Sequence, residues 1–343
     1  MASCIFSRDA IFGVLGQGND WHGMTKEVED LGVKYFPKYV RCPINVEFNG
    51  RNIPTGQSQF VTADDGLPVG TAQNSTFQPI LPDRSWELIE TALSGTKWTP
   101  ERVGTLWNRS FWFASIHLTE IAELARPGEK IELLVSAAID GSQSLMAHLS
   151  NTRVVCANTL RIAQGGDCIF KVKQSKNSSD KLEAAKADLE KAAGMVKVFN
   201  ETLVRLEETP CTEDAALQIY AGQLSRAGLS FANTRNADGT LRKNRAMATA
   251  DGLRVLFRNG YGNKGETLAD VLNGATQFYT RGSLPGSDSE KNVWKAFESS
   301  EFGNAGNRKL ELLEAISTPS GVRKIRDEGK VALKVFADTA RSN

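Results

Sequence analysis

Apolar and polar residues alternate through the middle of the chain, which is the pattern of β-strands that bury one face. The segments Ser110–Leu118 and Lys130–Ile139 both alternate in this way, and Gln143–Leu149 resumes the pattern. Asp140-Gly141 stands between the second and third segments, where a two-residue hairpin turn requires residues that tolerate positive φ. The pattern therefore predicts three consecutive antiparallel strands.

The segments before and after these strands have apolar residues at helical spacing. Before them, the pattern predicts a helix that ends at Gly95 and has Asp83 or Ser85 as its N-cap. After them, Asn151–Ala163 is predicted as a helix capped by one of its first two residues. The resulting α-β-β-β-α core places the chain in the α+β class, with an antiparallel sheet of three or more strands packed with helices.

The first 82 residues are rich in Gly, Pro and Asn and predict short strands joined by long loops. The strand-like segments are Tyr35–Val40, Ile44–Phe48 and Gln59–Thr62, and Asn49-Gly50 between the last two is a turn signal.

Beyond Gly166 the pattern becomes mainly helical. A stripe with alternating steps of three and four residues runs from Leu182 to Leu206, which indicates either a long helix packed on its own domain or an inter-subunit seam. The segment Asn233–Gly265, rich in Asn, Gly and Arg, is predicted as a basic loop. Helices are predicted at Thr212–Ala227, Thr267–Thr280, Ser289–Glu298, Asn304–Ile316 and Ser320–Ala340. The domain organisation is thus a loop-rich β segment (1–82), an α+β core (83–166), a long heptad helix (167–210) and a helical C-terminal region (211–343).

The amino-acid composition indicates the cellular compartment of the protein and limits which kinds of binding site it can have. Lys and Arg total 41 against 40 Asp and Glu, so a nucleic-acid partner would need a local basic surface. The 5 cysteines are scattered and never form a CxxC pair, which favours reduced thiols over a disulfide framework or a zinc site. We see no signal peptide and no membrane-spanning stretch, and we expect a cytoplasmic protein without a metal or other cofactor.

No catalytic constellation stands out, so the sequence favours a binding protein over an enzyme. His117 and His148 fall in strand patterns, the latter on the outward face, and Cys156 lies in an apolar phase. His22, beside Trp21 and near Asp20, is the best candidate for a general base, although a lone imidazole more often has a structural role.

Basic residues concentrate in two places that predict contacts with DNA. Seven basic residues against two acidic ones lie between Arg235 and Lys264, with Phe257 and Tyr261 among them to stack on bases. A second group surrounds the predicted helix after the hairpin; the alternative for both groups is ordinary solvated charge. The candidate DNA-binding residues are Arg153, Arg161, Lys171, Lys173, Arg235, Arg242, Lys243, Arg245, Arg254, Arg258 and Lys264.

The run Leu133–Leu160 carries Asp-Gly-Ser at 140–142 and Arg-Val-Val-Cys at 153–156, followed by Asn158-Thr159-Leu160. This run resembles the signature of the phage/plasmid-like protein family, a domain-of-unknown-function family of mobile elements. Weaker similarities extend the resemblance over most of the chain: Trp21-His22-Gly23, Phe77-Gln78-Pro79-Ile80, Thr267–Tyr279 and Glu301-Phe302-Gly303. The chain departs from the family at Ala137-Ala138 and in a loop-rich insert, Arg41–Gly56.

The resemblance implies a setting in phages or plasmids but no activity. A core of this type with a helical C-terminal half is similar to single-strand annealing recombinases of the Red-beta type, so we expect an oligomer that binds and anneals single-stranded DNA in the host cytoplasm. In that interpretation the stripe ending at Leu206 assists assembly. The alternatives are a phage protein-interaction factor, such as a host-defence inhibitor or assembly protein, and an enzyme that uses His22.

Overall fold

The computed structural model describes residues 38–341 apart from positions 64, 75–76, 83–84, 86–88, 91–92, 94, 107–109, 154–157, 163–167, 173–190 and 282–298. The strands form antiparallel sheets and the C-terminal half is helical, so the α+β class predicted from the sequence is confirmed. The chain divides into two compact units, one of residues 1–151 and 162–197, the other of residues 152–161 and 198–343.

A three-stranded sheet opens the described chain, in the order β1 (Tyr39–Phe48), β2 (Arg51–Thr62) and β3 (Pro68–Asn74). The turn between β1 and β2 is Asn49-Gly50, the predicted turn signal, and its φ angles of 51° and 71° are those of a tight hairpin. The segment Arg41–Gly56 was expected to be rich in loops, and this is wrong. It is most of a regular antiparallel hairpin with a register shift between Pro43 and Asn45.

The second sheet has the order β4-β5-β6-β7-β8, with β9 also paired to β7. Positions 82, 85, 89 and 90 before this sheet are helical, as predicted. Ser85 is not the N-cap, because its hydroxyl donates to the carbonyl of Leu81 at 2.9 Å from within the helix. The elements are β4 (Trp98–Leu106), β5 (Phe111–Leu118), helix α1 (Thr119–Ala122), β6 (Glu129–Ala138), β7 (Leu145–Arg153), β8 (Asn158–Ile162) and β9 (Phe170–Val172).

The predicted helix over Asn151–Ala163 is wrong, because the described part of this segment forms the end of β7 and all of β8. Asn151 caps no helix; its side chain donates to the Glu129 carboxylate at 2.9 Å. Residues 147–151 are all buried, and pairing along β7 outweighs the local helical spacing. The segment 167–210 likewise begins with a strand, since β9 precedes the helix.

Strands β5 and β6 of this sheet are buried on both faces. Every residue of β5 is buried except His117, which is partly exposed, and β6 is buried from Ile131 to Ala138. His148 was expected on an outward face, but it is only 2% exposed. Strands covered on both sides read as nearly continuous apolar runs, which is why an outward face could not be inferred from alternation alone.

The C-terminal helices match the sequence-based expectations well. Thr212, as the N-cap of α3, accepts from the amide of Ala215 at 3.3 Å. The predicted helix Ser289–Glu298 lies outside the described residues, and α4 was not predicted. The helices are α2 (Ala192–Glu208), α3 (Glu213–Arg226), α4 (Arg245–Asn259), α5 (Leu268–Arg281), α6 (Asn304–Ile316) and α7 (Pro319–Arg341).

The described part of the heptad stripe is already buried within the chain. Val196 and Leu206 are at most 1% exposed, and Phe199 and Leu203 are at most 8% exposed. Ala192 of the stripe is also fully buried, and the other stripe residues, from Leu182 to Leu189, lie outside the described residues. These side chains of α2 therefore belong to the core, and the expectation that they form a subunit seam is wrong for this part of the stripe.

Two glycines allow α3 and α7 to approach closely. A Cβ atom added to Gly329 of α7 would lie 1.8 Å from the carbonyl oxygen of Gln218. A Cβ atom added to Gly222 of α3 would lie 2.1 Å from the carbonyl oxygen of Ile325. The crossing of these two helices thus brings backbone against backbone, where no larger residue fits.

Candidate nucleic-acid interface

A short hairpin, residues 234–245, carries four of the basic residues that the sequence predicted to contact DNA; we call it the basic hairpin. Its two sides are joined where the amide of Arg242 donates to the carbonyl of Thr234 and the amide of Asn236 donates to that of Thr240, both at 2.8 Å. Gly239 closes the turn with a φ of 81°. The hairpin is therefore an ordered element of the structure.

Side chains of the turn reinforce its backbone. The carboxylate of Asp238 accepts from the amide and the hydroxyl of Thr240, at 2.9 Å and 2.6 Å. The hydroxyl donation lowers the pKa of Asp238 below its usual value. The Asp238 carboxylate thus keeps its charge, and its hold on the turn, into acidic solution.

Two asparagines attach the basic hairpin to the helices beneath it. Asn233, just before the hairpin, donates from its amide to the Thr339 hydroxyl and from its side chain to the Phe336 carbonyl, both at 2.9 Å. Asn244 caps α4 by accepting from the amide of Met247 at 2.9 Å, and its Nδ2 donates to the carbonyl of Ala232 at 3.0 Å. Both ends of the hairpin are therefore fixed to the helical unit.

Four cations on the hairpin stand in the open. Arg235 donates to the carbonyl of Gly239 at 2.7 Å, and Nε of Arg242 donates to Oδ1 of Asn236 at 2.8 Å. Neither partner is charged, so among the described residues no carboxylate neutralises either guanidinium group. Lys243 and Arg245 are exposed and have no hydrogen-bond or ion-pair partner in the part of the chain that the structure describes. Four basic residues and one acidic residue give the hairpin a net charge of +3.

The remaining cations of the predicted cluster lie away from the hairpin: at 1.5 Å of rise per residue, Arg254 and Arg258 of α4 are about 14 Å and about 20 Å from Arg245 along the helix axis. Arg258 and Arg254 both pair with Glu213, at 3.3 Å and 3.7 Å, and Arg254 also pairs with Asp251 at 3.1 Å. Two positive and two negative charges cancel there. Lys264 is exposed in the loop after α4.

The two aromatic residues of the predicted cluster also lie away from the basic hairpin. Phe257 is fully buried in the core, so its ring is not available to stack on a base. Tyr261 is 45% exposed, but it follows the C-terminal end of α4 and lies far from the basic hairpin. The hairpin therefore offers charge without an aromatic platform.

The second predicted group of cations lies on the strands of the larger sheet. The backbone of Arg153 is in β7 and that of Arg161 is in β8, both in the second unit; the placement of their side chains lies outside the description. Lys171 is exposed in β9, in the first unit. Lys173 lies outside the described residues.

Residues for other chemistry are sparse in the described chain. His22 lies outside the described residues, and no three His, Cys, Asp or Glu side chains among those described could hold a metal ion. Burial raises the pKa of Cys211 to about 11, which leaves its thiol protonated and unreactive near neutral pH. No described helix is both long and apolar enough to cross a membrane.

Sequence reasoning missed the residues that build the interface. Asn233, Asn244 and Thr240 carry no charge, yet they fix the hairpin that presents the cations. The available signal was Asp238-Gly239 between two polar flanks, a dipeptide typical of a two-residue turn.

Comparisons with known proteins give one match. The family described as domain of unknown function (DUF932) matches residues 72–301, from within β3 to a point just before α6. No curated protein and no solved structure matches the chain.

Proposed function

The chain belongs to the DUF932 family, and from this premise we propose that it binds single-stranded DNA through the basic hairpin and anneals complementary strands as an oligomer. The family is one of unknown function, so the proposal takes nothing from it about activity. The observation that carries the proposal is the net charge of +3 on an ordered, solvent-exposed hairpin in a chain whose overall charge is only +1.

The position of the charges favours phosphate as the ligand. Lys243 and Arg245 flank Asn244, the N-cap of α4, where the positive end of the helix dipole adds to their field. Arg235 and Arg242 lie on the two sides of the same turn and are held by neutral oxygen atoms. A phosphate at this site would meet cations without displacing a carboxylate from any of them.

The chemistry of the site favours contact with the nucleic-acid backbone over contact with the bases. Phosphates neutralised by Lys and Arg release condensed counterions, and this term is independent of sequence. Because Phe257 is buried, the hairpin has no described ring on which bases could stack. Binding that is tolerant of sequence suits a protein that pairs any strand with its complement.

The proposed cellular location and genetic origin of the protein follow from the resemblance described above and belong to the same proposal. We place the protein in the cytoplasm of a host cell, encoded by a phage or plasmid, where annealing would serve recombination. Annealing requires that two strands be held near one another, so an oligomer that presents several basic hairpins is part of the proposal.

Fluorescence anisotropy with a labelled oligo-dT strand and with a matched duplex tests the proposal. If four cations contact phosphates, the logarithm of the binding constant falls with the logarithm of salt at a slope of about −2.8. Binding then weakens about 50-fold between 50 and 200 mM salt. Absence of binding to either nucleic acid at the lowest salt would refute the proposal and favour a protein-interaction factor. Equal affinity for strand and duplex would refute the preference for single strands.

A further inference from the structure

The basic hairpin contains one large apolar residue, Leu241. Its side chain is 46% exposed, and residues 234–245 contain no other large apolar residue. The other described leucines of the second unit are buried or partly buried, so this degree of exposure is particular to the hairpin. The side chain therefore belongs to the surface of the hairpin and not to the described core.

The register of the hairpin sets Leu241 beside cations. Leu241 pairs with Arg235 as an antiparallel bridge, between the two backbone hydrogen bonds that join the sides of the hairpin. The side chains of such a pair lie on the same face, with their Cβ atoms about 5 Å apart. Arg242 and Lys243 follow Leu241 directly along the chain, and both are exposed. Leu241 is thus adjacent to three of the four cations of the hairpin.

These cations alone do not select a single strand of DNA. Duplex DNA carries one negative charge per about 1.7 Å of its axis, whereas each of its strands contributes one charge per about 3.4 Å. Positive charge by itself therefore favours the duplex. A preference for single strands requires contact with groups that the duplex conceals, and the apolar faces of stacked bases are such groups.

The composition of this surface favours a nucleic acid over a protein as the ligand. The centre of a protein interface is poor in charged residues and holds several apolar or aromatic side chains. The basic hairpin instead has a single exposed leucine within a segment of net charge +3. A single strand of DNA is complementary to this arrangement, because it joins apolar base faces to a negatively charged backbone.

We propose that Leu241 inserts between neighbouring bases of a single strand while the adjacent cations hold the phosphates of that strand. Apolar side chains, leucine among them, can enter between bases and part their stacking, and a base that is already unpaired resists this least. Every base has an apolar face, so the contact adds no dependence on sequence. The inference rests on the proposed function and deepens it, because it names the contact that selects single-stranded DNA.

The test uses the full chain with a single strand in which 2-aminopurine replaces several adenines, and with the matching duplex. The fluorescence of 2-aminopurine rises when its neighbours unstack, and saturating natural chain should raise the fluorescence of the single strand. Leu241→Ala should bind the strand about tenfold more weakly and bind the duplex as the natural chain does. Its salt slope should stay at about −2.8, because no phosphate contact is lost, and the rise in fluorescence at saturation should disappear.

Two further variants serve as controls. Leu241→Met keeps an apolar side chain at the same position and should retain both the preference for the strand and the fluorescence rise. Leu67→Ala makes the original substitution at another exposed leucine, which is 50% exposed in the first unit, and should bind as the natural chain does. Hydrogen exchange of the amides of Asn236 and Arg242 establishes that the hairpin stays formed in each variant.

Each outcome supports or overturns the insertion. Loss of strand affinity and of the fluorescence rise in Leu241→Ala, with duplex binding kept, supports it. Natural affinity for the strand in Leu241→Ala, equal losses on strand and duplex, or an undiminished fluorescence rise overturns the insertion. In those cases the proposed function still stands if binding depends on the hairpin cations. A natural chain that binds neither nucleic acid overturns the proposed function and the insertion together, so the two failures are distinguishable.

Discussion

Gly329 on α7 provides a sharp test of the helical packing. A Cβ atom at this position would lie 1.8 Å from the carbonyl oxygen of Gln218 on α3, and contacts under 3.0 Å are essentially never seen. Gly329→Ala therefore forces the two helices apart by at least 1.2 Å, the difference between those distances. Backbone atoms form the obstacle, so a change of rotamer gives no relief.

The expected cost combines two opposing terms. Overpacking a tight contact costs about 3 kcal/mol, at the upper end of its usual range, because a backbone must move. Alanine in place of glycine inside a helix raises the free energy of unfolding by about 1 kcal/mol. The free energy of unfolding of the helical unit should therefore fall by about 2 kcal/mol. With a urea dependence of about 2 kcal/mol/M, its midpoint shifts by about 1 M.

Gly252 supplies a matched control. It lies inside α4, and nothing is within 4 Å of the position that its Cβ would occupy. Gly252→Ala should stabilise the helical unit by about 1 kcal/mol. Because the chain has two compact units, urea unfolding followed by circular dichroism needs hydrogen exchange of α3 and α7 to identify the transition. If Gly329→Ala is as stable as the natural chain while Gly252→Ala is stabilised, the close helix crossing is refuted.

Three further predictions concern capping and buried ionisable groups. Asn244→Ala should lower the free energy of unfolding by about 1 kcal/mol and weaken DNA binding, because it loosens the basic hairpin. Thr212→Ala should remove the cap of α3 at a similar cost in stability without affecting DNA binding. Urea unfolding measures the change in stability, and anisotropy measures the change in binding. Burial raises the pKa of Cys211 from 9.0 to about 11 and that of Tyr279 from 10.0 to about 12, so the folded state holds these protons more tightly. Their stabilisation is complete below pH 9 and lost as pH rises towards 12; urea midpoints should fall over this range, and less steeply in Cys211→Ala. Asp270→Ala should cost about 2 kcal/mol, because its carboxylate accepts from the amides of residues 264, 266 and 267; an unchanged urea midpoint would contradict this role.

The spacing of apolar residues along the sequence was enough to predict segments whose structure depends mainly on nearby residues. The alternating segments became β5 and β6, but the predicted two-residue turn at Asp140-Gly141 is wrong: six residues, 139–144, join β6 to β7, and of the pair only Gly141 has a positive φ, of 73°. The helix Asn304–Ile316 was predicted with its observed bounds. In these two strands and in this helix the spacing of apolar residues favours the structure that forms.

The same spacing gave wrong predictions for segments whose structure depends on pairing with residues distant in the sequence. The segment from Asn151 to Ala163 has apolar residues compatible with a helix or a strand, and pairing along β7 selects the strand. Helix α4 was missed although Ala246, Ala250 and Leu253 recur at helical spacing and are buried. Its flanks are rich in Asn, Gly and Arg, and this composition concealed the periodicity.

The candidate interface shows the same limit. A count of charges along the chain gave Arg254 and Arg258 equal weight with Arg242 and Lys243. It could not reveal that Glu213, on another helix, pairs with both of the first two. Only the three-dimensional arrangement separates cations that already have a carboxylate from those that are open to a phosphate.

The most direct test of the account removes the open cations and leaves the fold intact. Anisotropy of labelled oligo-dT should be measured with Arg242→Ala/Lys243→Ala/Arg245→Ala and with a control that removes three exposed cations from α7, Arg323→Ala/Lys324→Ala/Lys330→Ala. The account predicts that the hairpin variant loses most of its affinity and that its salt slope falls from about −2.8 to about −0.7, while the control binds nearly as the natural chain does. Equal losses in the two variants, or an unchanged salt slope in the hairpin variant, would contradict a DNA-binding role for the basic hairpin.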